Sequence, residues 1–121
     1  MDDPITNETY MIQDMSTAII NIAKQFSRFP AGRFLEDGPN TGARFRDELL
    51  RPALEKYDRV IVEMDGVVGY GSSFLEEAFG GLVRMGAFSK EEMHQKIELR
   101  SRLKSPVRDA WDYIDSADAA S

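Results

Sequence analysis

Few residues in this chain can do chemistry, and most of them gather in one stretch. Ser72 and Ser73 follow a glycine-rich turn, Gly66 to Gly71, and Asp65 immediately precedes it. A serine in a tight strand-to-helix turn is where many hydrolases hold their nucleophile. The Gly-x-Ser-x-Gly spacing is absent, however, and the chain has one histidine, His94. That residue sits among Glu91, Glu92, Met93 and Gln95, a pattern that reads as a solvated helix face. A histidine base needs an oriented partner and a nucleophile within reach. A small serine-dependent hydrolase is therefore the weakest reading. A modified serine suits the position better, because the free amides and dipole of a helix start stabilise an anion. Phosphate would add about −1.5 to −2 of charge. Glu76 and Glu77 oppose it one turn further on, and such competition is what a switch requires. The plainest role for Ser73 is structural: Ser73-Phe74-Leu75-Glu76 fits a capping box.

Two other constellations deserve chemistry. Asp65-Gly66, at the end of an apolar run, offers a ligand or base, or else an acceptor for loop amides. Arg28, Arg33, Arg44, Arg46 and Arg51, interleaved with Gly32, Gly38 and Gly42, offer a basic anion site. That set lacks the Gly-Lys-Ser/Thr ending of a P-loop. Glu36, Asp37, Asp47 and Glu48 lie between the arginines, so local salt bridges are the default. An anion- or nucleotide-sensing domain built on Arg33, Arg46 and the glycine loop is the principal alternative function.

The elements that position these residues are legible from periodicity. The β-branched apolar run that opens at Arg59, with Asp65 at its end, predicts a buried strand. Leu75, Ala78, Phe79, Leu82 and Val83 recur at helical spacing, and Gly86 suits a helix C-terminus. Gly80-Gly81 inside that helix implies close backbone packing, against the sheet or a partner. Upstream, Thr9 to Ile12 reads as a short edge strand and Thr17 to Ala23 as a further strand. Phe26 to Thr41, with its prolines and glycines, reads as a loop. Gly42 to Tyr57 is helical, with Pro52 expected to kink or break it. Downstream, Ser89 to Glu92 forms a capping box and Lys96 to Ser101 a half-exposed strand. Ser105-Pro106 reads as a cap followed by proline at the first helical position, and Val107, Ala110, Trp111 and Ile114 form the last stripe. Ala117 to Ser121 is expected to fray. The alternation implies a small α/β sandwich with a largely parallel sheet and one domain over residues 1–121, its core about 17–116.

Composition narrows the function. The 121 residues suit one hydrophobic core, and 42% hydrophobic content is ordinary for a globular protein. The net charge of −6 disfavours nucleic acid as a partner. With no cysteine, thiolate metal sites, disulfides and cysteine catalysis are excluded. No metal or cofactor is expected. No apolar run reaches the length of a membrane span, and the acidic N-terminus lacks the order of a signal peptide, so a cytoplasmic protein without a membrane partner is expected.

Several motifs together resemble a known family. They are Phe29-Pro30-Ala31-Gly32-Arg33, Asp37-Gly38-Pro39-Asn40-Thr41-Gly42, Phe45-Arg46, Met64-Asp65-Gly66-Val67 and Ser72 to Leu82. The set, spanning roughly Ile20 to Ile114, is similar to the bacterial STAS-like domain family of unknown function. That family resembles, at a distance, the sulfate-transporter and anti-anti-sigma module. The resemblance implies an anti-anti-sigma-like fold and a non-enzymatic regulatory domain that binds a protein partner. In anti-anti-sigma proteins a strand ends in an Asp-Ser-Ser-Gly-Leu type turn, and a histidine-kinase-like ATPase phosphorylates one serine and thereby loses its grip. Ser72 and Ser73 fall on the serine pair, with Ser73 matching the usual phosphoacceptor and Leu75 the leucine. Gly71 stands in place of the aspartate and Phe74 in place of the glycine. Such an ATPase is the expected partner, bound through the Gly69 to Phe79 loop and helix, and Asp65, Gly66, Gly69, Tyr70, Gly71, Phe74, Arg33 and Arg46 are the candidate partner- or ligand-binding residues.

Overall fold

The computed structural model describes residues 11–12 and 16–118. Its centre is a four-stranded sheet in the order β1-β2-β3-β4. Strand β1 (Met11–Ile12) runs antiparallel to β2 (Thr17–Asn21), at the edge expected for it. The predicted strand residues Thr9 and Tyr10 lie outside the described residues. Strand β3 (Arg59–Glu63) is parallel to β2 and to β4 (Ile97–Arg100). Ala18, Val60 and Ile97 share one register row, and Ile20, Val62 and Leu99 the next row on the same face. These side chains share a single core with residues of the helices, including Phe45, Leu50, Phe79, Met93 and Ile114. The fold is therefore an α/β sandwich with a mostly parallel sheet. Because β2, β3 and β4 are parallel, the segments that leave them gather at one end of the sheet.

After β2 the chain turns into a short helix, α1 (Ile22–Gln25), so the strand ends two residues earlier than its apolar pattern suggests. Asn21 caps it, its side chain accepting from the Lys24 amide. The 26–41 loop contains one 3₁₀ turn, Leu35–Asp37. It is stitched down by backbone bonds from Ala31 to Asn40, and from Gly42 to Gly32.

Helix α2 runs continuously over 42–56, as Gly42–Phe45, a π turn Arg46–Leu50, and Arg51–Lys56. Pro52 does not break the helix, since the residues on either side stay helical. The ladder widens just before it, with the Arg51 amide reaching back to the Arg46 carbonyl. A wider turn accommodates a residue that has no amide proton to give. Helix α3 (72–84) repeats the device, with Ser72–Leu75, a π turn Glu76–Gly80, and Gly81–Arg84. All five residues of its predicted stripe are buried. Gly86, at φ 79°, ends it in the left-handed conformation that favours glycine. The capping box at Ser89 forms with both bonds present and opens α4 (Lys90–Lys96).

Two caps differ from expectation. Helix α3 starts at Ser72 with Gly71 as its cap, so Ser73 caps nothing and Glu76 points elsewhere. Helix α5 (Lys104–Ser116) starts one residue before Ser105, with Leu103 at the cap. Pro106 is then third in the helix, where its missing amide still costs no helical bond. The glycine pair also has a local cause. A Cβ on Gly80 would lie 3.0 Å from the Tyr113 carbonyl of α5, and one on Gly81 would lie 2.9 Å from the Arg46 guanidinium. The close approach is thus to a helix and an arginine, not to the sheet.

The tightest approach is at Gly42, where a Cβ would sit 2.6 Å from the Phe74 carbonyl oxygen. Gly42→Ala must push α2 and α3 apart, and overpacking of this kind costs about 1–3 kcal/mol. Gly69→Ala, with no atom within 4 Å of the new Cβ, should be close to neutral. Urea denaturation of the two variants checks the contrast.

Candidate functional site

Three groups of residues meet at the carboxyl end of the sheet, where α/β proteins commonly place function. The first is the serine pair. Ser72 and Ser73 are exposed at the first two positions of α3, and no side chain caps the helix. Phe74 and Leu75 follow at once and are fully buried. Phe74 packs on Phe26, Phe45 and Tyr70, with ring centroids about 6 Å apart. Phe74 is therefore withdrawn from the surface contacts that the resemblance implied. It anchors the serines from below and does not stand over them.

The second group is an ion network joining the arginine loop to α3. Arg46 and Glu77 are both buried and meet at 2.5 Å. Arg46 also holds Asp47 at 2.8 Å and the Glu77 carbonyl at 3.3 Å. Arg33 reaches across from the loop to Glu76, and to Glu77 at 3.2 Å. Arg84 closes the set, bonding Glu76, and Glu77 at 2.9 Å. The hydrogen bonds that Arg33 donates to Glu76 and then Glu77 hold its guanidinium above its usual pKa; burial opposes the bonds and charges that raise Arg46, and they prevail. Arg46, expected as a surface contact, is thus an internal tie, and Arg33 is occupied in the same way. The default of local pairing extends to Arg44 with Glu48 and Arg51 with Glu55. The buried role of Glu77 escapes the sequence reading, which treats Glu76 and Glu77 only as a cap and a repulsion. The available signal was Gly81 four residues after Glu77, which leaves room for a guanidinium.

The third group is built on Asp65. Its carboxylate accepts from the Arg102 amide at 3.0 Å and from the Ser101 hydroxyl at 2.9 Å. It therefore ties the β3–α3 turn to the β4–α5 turn, and not its own loop. The Arg102 amide, and then the Ser101 hydroxyl, hold its carboxyl below the usual carboxylate range. Gly66 takes φ 89°, which lets the chain reverse there. Tyr70 donates to the Met64 carbonyl at 2.7 Å, and burial, then the Asp65 charge, push its phenol upward. Gly69 and Gly71 have open space above them. Between the two turns lies a cleft of about 690 Å³. His94 lies elsewhere, stacked 4.4 Å from Trp111 and 2.6 Å from Asp115. No hydrogen bond joins it to either serine among the described residues.

Fold and site together define a small α/β sandwich domain whose strand-to-helix turn presents two serines. The model of the STAS-like domain of unknown function matches residues 41–104, more than half of the chain, and the protein belongs to that family. The match begins at Thr41, so the Phe29 to Arg33 loop, part of the resemblance read from sequence, lies outside it. No curated protein and no solved structure gives a significant match. Among the described residues no helix is long and apolar enough to cross a membrane, and no cluster has the makings of a metal site.

Two outcomes are expected. Glu77→Leu or Arg46→Met leaves a buried charge short of its partner and should cost about 3–5 kcal/mol, while the double variant loses far less than the sum; urea titrations of a double-mutant cycle measure this. Asp65, with its folded pKa lowered, contributes stability above the ordinary carboxylate range near pH 4, lost as pH falls through the depressed value. Asp65→Asn should therefore be less stable at pH 7 and lose less on acidification to pH 2, read as melting temperature against pH.

Proposed function

We propose that this protein is a non-enzymatic regulatory domain that binds a protein partner through the Gly69 to Ser73 turn, and that phosphorylation of Ser73, or secondarily Ser72, releases the partner. The observation that carries the reading is the placement of both serines. They are exposed on the uncapped first turn of a helix whose next two residues are fully buried. A phosphate on either would meet free amides and a helix dipole, on a rigid base. The opposition foreseen from Glu76 and Glu77 is blunted, since Arg33, Arg46 and Arg84 already face those carboxylates. Family membership supports the same reading, as STAS-like domains commonly act by binding other proteins. A histidine-kinase-like ATPase is the class of partner we favour, on the similarity of the serine pair to that of anti-anti-sigma proteins. A soluble cytoplasmic setting fits such a partner.

The test is an affinity capture from lysate of the native host with three baits, wild type, Ser73→Ala and Ser73→Asp. An ATPase should be recovered by the first two and reduced at least tenfold with the third, a change of about 1.4 kcal/mol in binding. Equal recovery by all three folded baits would reject the switch and leave Ser73 a surface residue of the helix start.

A further inference from the structure

We propose that the cleft between the β3–α3 and β4–α5 turns binds a small amphipathic anion, an apolar body carrying one carboxylate or phosphate. This site is separate from the serine pair, and the inference does not rest on the partner reading. The cleft's volume of about 690 Å³ falls within the range of ligand sites, roughly 300–1,000 Å³. Its floor is apolar, formed by Met64, Val67, Leu75 and Pro106. Val68 and Leu103 stand on its rim at 68% and 69% exposed.

The polar groups of the cleft decide the sign of the ligand. Its two carboxylates and the Met64 carbonyl already have partners. Asp65 takes bonds from Ser101 and Arg102, Asp109 is paired with Arg108, and the Met64 carbonyl is taken by Tyr70. Its donors are in surplus. Arg28 gives its Nε to the Gly66 carbonyl, lies 5.9 Å from the Phe29 ring centroid, and pairs with no carboxylate among the described residues. It is the one member of the arginine set left so, since Arg33, Arg44, Arg46 and Arg51 all hold glutamates. Arg102 has a side chain 91% exposed, with only a long 3.8 Å approach to Asp65. Ser105 lines the cleft in the uncapped first turn of α5, and its hydroxyl makes no bond among the described residues. A cleft whose carboxylates are already paired, while the Arg28 and Arg102 guanidiniums hold none closely, is matched by an acceptor-rich head group. The apolar floor takes the rest of the molecule.

The full chain is titrated with octanoate, phenyl phosphate and uncharged octanol, following backbone amide resonances. One of the anions should shift Gly69, Tyr70, Arg102 and Leu103 saturably, and which one does so assigns carboxylate or phosphate. Octanol should bind at least tenfold more weakly. The double variant Arg28→Gln with Arg102→Gln should weaken the anion at least tenfold. Gly69→Phe, placed where a side chain meets open space, should fill the cleft and abolish binding. The proposal is overturned if neither anion saturates, if octanol binds as well, if the shifts map elsewhere, or if binding survives the arginine double variant. Should Gly69→Phe fail to fold, the arginine variant alone decides. Because no partner protein enters the measurement, its failure would leave the serine switch standing, and the reverse also holds.

Discussion

The structure depends on one buried ion pair, Arg46 with Glu77, set where α2 and α3 cross. Two charges withdrawn from water are expensive, and their attraction offsets that cost only when further hydrogen bonds satisfy the remaining donors and acceptors. Here Asp47, Arg33 and Arg84 supply those bonds. The crossing is close enough that Gly42 lies against the Phe74 backbone and Gly81 against the Arg46 guanidinium. Both helices pass through the crossing in π turns. A π turn is costlier than a regular one and marks a place where side-chain direction matters more than ladder geometry. The pair therefore does more than hold two helices together. It sets the rotation of α3, and with it the direction in which Ser72 and Ser73 face.

From that crossing the constraint spreads to the whole upper end of the sheet. Arg33 carries it into the 26–41 loop, which has little regular structure of its own but is closed by its own backbone bonds. Phe74 carries it into an aromatic cluster with Phe26, Phe45 and Tyr70. Tyr70 then pins the glycine turn to the end of β3 through the Met64 carbonyl, and Asp65 pins the same strand end to the turn after β4. A glycine-rich turn that is free in sequence is thus anchored at both ends. Between those anchors the Val68 amide donates to the Arg28 carbonyl at 2.9 Å, and Gly69 and Gly71 have open space above them, beside the cleft and the exposed serines.

Much of the fold was legible because its signals are local. The β-branched run at Val60 to Val62, the stripe from Leu75 to Val83 and the capping box at Ser89 each rest on residues a few positions apart. The failures share a cause. Ser73 and Ser105 match cap patterns, yet each helix starts earlier, with Gly71 and Leu103 at the caps. In α3 the serines are followed at once by the buried Phe74 and Leu75. Pro52 was read against a regular helix, and the π turn before it removes the conflict. Glu76 was assigned to Ser73 three residues away, whereas its partners Arg33 and Arg84 are 43 and eight residues distant.

By itself the sequence determined the α/β order, the parallel core strands, the buried faces of the helices and the serine pair at a strand-to-helix turn. Periodicity and composition act within a turn or two of chain, so these need no distant partner. Only the tertiary structure decided which charges are internal and which are left to solvent. Five arginines look alike in sequence, yet four hold carboxylates and Arg28 faces a cleft. Asp65, readable as a base or a loop acceptor, became the tie between two turns. Pairing of this kind depends on distances across the fold, where a Coulomb interaction and its desolvation penalty are both set by burial. No local pattern of residue types encodes that burial.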